Sequence, residues 1–217
     1  MKIKKFVDLS WDITEQTPIY PGDPEPKITV ATTLENEGYN LSGVYVGTQT
    51  GTHVDAPYHF SNEGATIEKM ELDFFFGEAV VVRVTNKKSN EKITMEEVMP
   101  YDEKIKAGTI VLFNTNWYKK RGTEEFFAHP YVSVEVAEYL VNKGVRFLCI
   151  DTINADQTGG TEFPVHDLFS EKRLMIGENW AYFDHIDFDH VFVAAFPLKI
   201  VGTDGSPVRA VAMEIEE

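Results

Sequence analysis

The rhythm of hydrophobic and polar positions predicts strands far more often than helices. Candidate strands run through residues 28–33, 43–50, 79–85, 109–115, 145–150, 191–195 and 208–215. Several are nearly continuous Val, Ile, Leu and Phe, a composition that implies burial on both faces and a layered α/β domain. One helix is expected over residues 134–143. Ser133 suits its N-cap, Glu135 its first turn and Gly144 the position just past its end, while Val136 and Leu140 repeat at i,i+4. Residues 94–99 and 165–170 read as short helical turns. The turn-rich stretches 20–26 and 151–163 are expected to frame the mouth of a pocket.

One stretch departs from simple alternation of apolar and polar. In Gln49-Thr50-Gly51-Thr52-His53-Val54-Asp55-Ala56-Pro57-Tyr58-His59-Phe60, the metal-capable side chains Gln49, His53, Asp55 and His59 all fall on odd positions. On a strand they would leave from one face. The plainer reading is a half-buried strand with two incidental histidines. Spacing favours chemistry: Cα atoms two apart on a strand lie roughly 6.6 Å from each other, close enough for His53 and Asp55 to share one ion. Gln49 lies roughly 13 Å from His53 on a straight strand. It joins that ion only if the chain bends, and Gly51 is the easiest place for a bend. Pro57 should end regular pairing and leave His59 at the open end, where it suits a proton carrier better than a fixed ligand.

Composition narrows the field. The 217 residues suffice for one large domain, 1–217, with no linker, repeat or low-complexity tract. The balance of 35 acidic to 20 basic residues gives a formal charge of −15, which argues against nucleic acid and anionic membranes as partners. No apolar run near the start is long enough for a leader or a membrane span. The single Cys149 sits in an apolar run and reads as a core residue, so a reducing cytoplasm is the expected location. Phe74-Phe75-Phe76 is expected to pack in the core or at a subunit interface. His129 and His185 read as surface groups, and His190 as the flank of the strand beginning at Val191.

The second half adds His166, after Phe163-Pro164-Val165, and Glu178, after Leu174-Met175-Ile176-Gly177, where an apolar run would deliver it to a strand end. Two imidazoles and two carboxylates suit Zn²⁺ or Mn²⁺. Thr52 and Asn179 are candidate supports for the ligands.

The run from Gly51 to Phe60 resembles the central motif of the kynurenine formamidase-like metal-dependent hydrolases, also called the cyclase family. Asp8-Leu9-Ser10 with Pro18-Ile19-Tyr20-Pro21-Gly22-Asp23-Pro24 resembles the opening of that family. Gly144 to Asp151, the His166 and Glu178 segments, and Pro197-Leu198-Lys199 through Gly205-Ser206-Pro207-Val208-Arg209-Ala210 resemble its later blocks. The resemblance implies an α/β fold, a swivelling β/β/α cyclase-like single domain with a barrel-like mixed sheet, assembled as a homodimer or homotetramer. It implies metal ligands His53, Asp55, His166 and Glu178, with Asp55 and Glu178 able to bridge where two ions bind, and His59 as general acid/base.

Two departures from that pattern stand out. The family usually has a His where Gln49 stands, and that His helps hold one of two ions. An amide oxygen is a weaker, harder donor, so one site should be weakened or biased toward Mn²⁺. In the formamidases proper a tryptophan near the opening motif contacts the substrate, and Tyr20 stands at its counterpart. Both departures set this chain apart from the formamidases proper and leave the hydrolase reading intact.

The expected reaction is hydrolysis of an amide, formamide, lactam or lactone in a small aromatic or cyclic substrate. Tyr20, Phe60 and Trp180 are candidate walls, Trp180 also fitting the core. A lyase or cyclase using the same ion, or a non-catalytic metal- or ligand-binding protein decayed at Gln49, are the alternatives; His59 argues against the last.

Overall fold

The computed structural model describes residues 2–216. Thirteen strands are formed: β1 (Lys2–Asp8), β2 (Lys27–Thr32), β3 (Leu41–Tyr45), β4 (His53–Asp55), β5 (Phe76–Arg83), β6 (Lys92–Ile93), β7 (Ile110–Asn114), β8 (Tyr131–Val132), β9 (Phe147–Ile150), β10 (Met175–Glu178), β11 (Val191–Ala194), β12 (Gly205–Pro207) and β13 (Val211–Glu216). The helices are α1 (Leu34–Glu37), α2 (Met95–Val98), α3 (Val134–Asn142) and α4 (Pro164–Glu171).

Nine strands make one curled, half-barrel mixed sheet in the order β1-β13-β11-β5-β7-β9-β10-β4-β12. Its centre, β5-β7-β9-β10, is parallel and both flanks are antiparallel. The continuous apolar runs occupy that centre, and every residue of β7, β9 and β10 is buried. Alternate side chains serve two cores. Ile110, Leu112, Phe147 and Cys149 join one face, with Leu9, Val54, Trp180 and Phe183. Val111, Phe113, Leu148 and Ile150 join the other, under Val136 and Leu140 of α3 and Val165 and Phe169 of α4. The mixed α/β fold expected from the apolar runs is the one observed.

Local signals hold in α3. Ser133 accepts the amide of Val136, and Gly144 follows the helix at φ +79°. The strand expected at 43–50 ends instead at Tyr45. Residues 48–52 form turns, because the left-handed backbone of Gly51, φ +67°, cannot continue a ladder. The odd-position alternation therefore holds only across His53 and Asp55, and Pro57 opens a 3₁₀ turn, Pro57–His59.

The Phe triplet divides. Phe75 is buried and Phe74 packs against it from the rim, while Phe76 is exposed beside Phe192 and Phe196. His129 is fully buried, against expectation, because both ring nitrogens are satisfied, Nδ1 by the Pro130 carbonyl and Nε2 by the Thr158 hydroxyl. Cys149 is buried and unpaired, and His185 is exposed. No helix among the described residues is long and apolar enough to cross a membrane.

Candidate metal centre

The antiparallel pairing of β4 with β10 sets His53 directly opposite Glu178, and Asp55 two residues further along the same face. These three residues bring one ligand atom each to within 4.8 Å of one another, all buried. Their geometry divides between two sides. His53 Nε2 lies 3.3 Å from Asp55 Oδ1 and 3.5 Å from Glu178 Oε2. His166 Nε2, carried in by α4, lies 3.7 Å from Asp55 Oδ2 and 3.1 Å from Glu178 Oε1. Each carboxylate thus offers one oxygen to each imidazole.

Both imidazoles are fixed from behind. His53 Nδ1 donates to the Gly51 carbonyl at 2.9 Å, and His166 Nδ1 donates to Asp156 Oδ2 at 2.7 Å. Both Nε2 atoms are thereby left to face the carboxylates, which is how ligand histidines are held. Asp156 also accepts the amides of Val165 and His166, standing in for a cap at the N-terminus of α4. His53 Nε2 and both oxygens of Asp55 are buried without a hydrogen-bond partner among the described residues. Unpaired polar atoms in such a place carry a cost that a bound cation would remove. The donor set therefore fits a divalent ion.

The electrostatics agree. Burial opposes charge on every member, yet mutual attraction prevails. Asp55 and Glu178 lift His53 to about 10, and Glu178 with Asp156 raises His166. Asp55 is held well below the usual carboxylate range by His53 and His166, and Glu178 is lowered chiefly by His166.

The cluster forms one wall of a cavity of about 180 Å³. Tyr20, Phe60, Phe163 and Ile153 line it, together with Asp23, Gln49, His59, Asn154 and Asn179. Phe60 packs on Phe163 and on the His166 ring, with centroids 5.3 and 4.5 Å apart. His59 reaches the cavity from its 3₁₀ turn and is anchored to Asp204 through Nδ1 at 3.0 Å. Burial opposes the His59 proton but the Asp204 bond holds it, raising the ring above its ordinary value. Asp23 is raised by burial, against the pull of His53 and His59.

Residues 7–157, well over half of the chain, match the family model described as "Putative cyclase". The chain belongs to that family. The kynurenine formamidase of Geobacillus thermodenitrificans is 33% identical over 206 residues, covering 94% of this chain and 95% of its own. A solved structure described as a predicted metal-dependent hydrolase from Bacillus stearothermophilus is 30% identical, with TM-score 0.81, covering 97% of this chain and 98% of its own. An isatin hydrolase bound to the product analogue thioisatinate superposes with TM-score 0.90 at 23% identity, over 98% of this chain and 93% of its own, a likeness of fold.

Of the cyclase-family residues expected from sequence, His53, Asp55, His166 and Glu178 converge, and Gln49, His59, Tyr20 and Phe60 line the same cavity. Trp180 does not. Gly177 leaves room for its indole: a Cβ there would meet Trp180 Nε1 at 2.7 Å. The ring is fully buried in the core with Nε1 donating to the His53 carbonyl. Thr52 supports from behind, donating to the Asn179 carbonyl at 2.6 Å and accepting the Trp11 amide. Sequence reasoning missed Asp23, Asp156, Asp204 and Phe163. Each lies in a turn-rich stretch, where periodicity gives no signal; the stretches 20–26 and 151–163, expected to frame the pocket mouth, contain Asp23, Asp156 and Phe163 but single out none of them.

Proposed function

We propose that this chain is a metal-dependent hydrolase that opens the carbon–nitrogen bond of a small, flat amide, an N-formylated aromatic amine or a lactam fused to an aromatic ring. The observation that carries this reading is the convergence of His53, Asp55 and Glu178, of which His53 and Glu178 line an aromatic-walled cavity that also receives His59. The kynurenine formamidase and isatin hydrolase relatives support the bond type. The cavity, somewhat larger than the roughly 150 Å³ that accommodates benzene, suits one or two fused rings between Tyr20, Phe60 and Phe163.

His53, Asp55 and Glu178 would hold one ion, and Asp55, Glu178 and His166 a second, with Asp55 and Glu178 shared. A divalent ion there supplies Lewis acidity, polarising a carbonyl and lowering the pKa of water toward about 7. The chain's own groups do the rest. The aromatic walls hold the substrate ring and exclude water from it. A carbon–oxygen bond forms to water as the carbon–nitrogen bond breaks, and His59 relays the water proton to the departing nitrogen, a contribution of about 10²–10⁴-fold. Gln49 presents an amide oxygen where an imidazole would bind a soft ion more tightly, which favours Mn²⁺ on its side.

The test is to strip the protein with chelator, restore zinc or manganese, and assay N-formyl anilines and fused lactams, with aryl lactones beside them. Metal-dependent release of the amine or the ring-opened amino acid is expected. Equal rates with and without metal on both amide classes, or turnover of the lactones alone, would exclude the reading.

A further inference from the structure

Asp204 joins two pocket side chains that come from separate turns. Its Oδ2 accepts from His59 Nδ1 at 3.0 Å and from Gln49 Nε2 at 2.8 Å, and its Oδ1 accepts from the Thr48 hydroxyl at 2.8 Å. The main chain around it is pinned. The Asp204 carbonyl accepts the Ala56 amide at 2.8 Å, and β12 begins at the next residue, with Gly205 opposite Asp55. Gly205 also makes room for the network, since a Cβ there would meet Gln49 Nε2 at 2.8 Å and the Val54 carbonyl at 2.6 Å.

A carboxylate that receives three donors can only accept, and these bonds keep Asp204 ionised despite its partial burial. Two orientations follow. The proton of a neutral His59 must sit on Nδ1, which leaves Nε2 as the basic nitrogen. The Gln49 amide must turn its NH₂ toward Asp204, so its oxygen points the other way; that Oε1 is buried without a hydrogen-bond partner among the described residues. His59 and Gln49 both line the cavity.

We propose that Asp204 is the positioning residue of this pocket, fixing in one stroke the tautomer of His59 and the orientation of the Gln49 amide. The cavity thereby receives a bare imidazole nitrogen for proton transfer and a bare amide oxygen as a neutral donor. The catalytic half of this inference rests on the proton-relay reading of His59; the geometric half does not.

The test separates the two. Zinc-loaded protein labelled with ¹⁵N-histidine is examined by long-range ¹⁵N–¹H NMR at a pH where His59 is neutral, its signals assigned with His59→Gln. The native protein is expected to show His59 protonated at Nδ1. Asp204→Ala should lose that preference, with kcat falling about 10²-fold or more on whichever amide substrate is turned over and KM moving by only a few-fold. Asp204→Asn should keep the tautomer, because the Thr48 hydroxyl can turn to accept the new NH₂. Asp204→Leu, close in shape but without an acceptor, should lose the tautomer again even if the alanine variant does not fold. An unchanged His59 tautomer in Asp204→Ala or in Asp204→Leu overturns the proposal. So does Asp204→Asn behaving like Asp204→Ala, which would mean that charge and not orientation matters. Because the NMR arm needs no turnover, an inactive enzyme with the predicted tautomers would count against the hydrolase reading and not against Asp204.

Discussion

Loading a divalent ion into this centre should expel protons, and the number expelled reports which histidines hold it. In the ion-free pocket burial works against a charged His53, but Asp55 and Glu178 outweigh it and bring the ring to about 10. His166 is raised as well, by Glu178 and Asp156. A ligand imidazole must be neutral, so the ion and the proton compete for the same nitrogen. At pH 7 freeing His53 costs about 4 kcal/mol, taking 1.36 kcal/mol for each pKa unit, or roughly 10³-fold in apparent affinity. Both histidine shifts are upward, so apparent affinity should rise with pH by about tenfold per unit for each proton displaced. For His53 the rise should end near its own value of about 10. Calorimetric titration with zinc near pH 7, repeated in buffers of different ionisation enthalpy, counts the protons. About one is expected per ion held through His53, and about one more where His166 also binds, so His166→Ala should remove that second proton. Identical heats in every buffer would refute the reasoning, because they would mean that no imidazolium is displaced.

His59→Ala should abolish turnover while metal content by elemental analysis stays near that of the native protein; metal loss would make His59 a ligand. Gln49→His should raise the second equivalent of zinc bound in a titration, and an unchanged stoichiometry would mean that position 49 does not face an ion. Asp156→Ala should weaken metal binding by about 10–100-fold, since it frees the ring of His166; competition with a chelator measures this. Trp180→Ala should cost about 3–5 kcal/mol in urea unfolding, because the indole is fully buried. A loss below about 1 kcal/mol would contradict its place in the core.

Much of the centre is legible in sequence because strands obey simple rules. His53 and Asp55 share a face by their spacing of two, and Glu178 follows an apolar run expected to deliver it to a strand end, as β10 does. That spacing rule fails on the N-terminal side, where Gly51 takes a left-handed conformation and puts Gln49 in a turn; on the other side Pro57 ends the pairing as expected and opens the 3₁₀ turn that carries His59. Both still reach the cavity, by routes that periodicity does not describe. Asp156 and Asp204 were invisible for another reason. Asp204 accepts from residues 145 or more positions away and Asp156 from residues nine and ten positions on, and nothing in the adjoining sequence distinguishes such a carboxylate from a solvated one. His129 shows the converse error: an isolated histidine reads as a surface group, but two partners allow it to be buried.

The pairing of β4 with β10 has a consequence for biogenesis. His53 and Asp55 are made early, and Glu178 can join them only after more than half of the chain has followed, because β10, which carries it, is itself the strand that links the parallel centre of the sheet to β4. Contacts of such long sequence separation form slowly. A nascent chain therefore carries half a binding site through most of its synthesis, and cation capture comes as a finishing step. A cation bound there removes the cost of the unpaired atoms of His53 and Asp55, so it should stabilise the finished fold as well as complete the site.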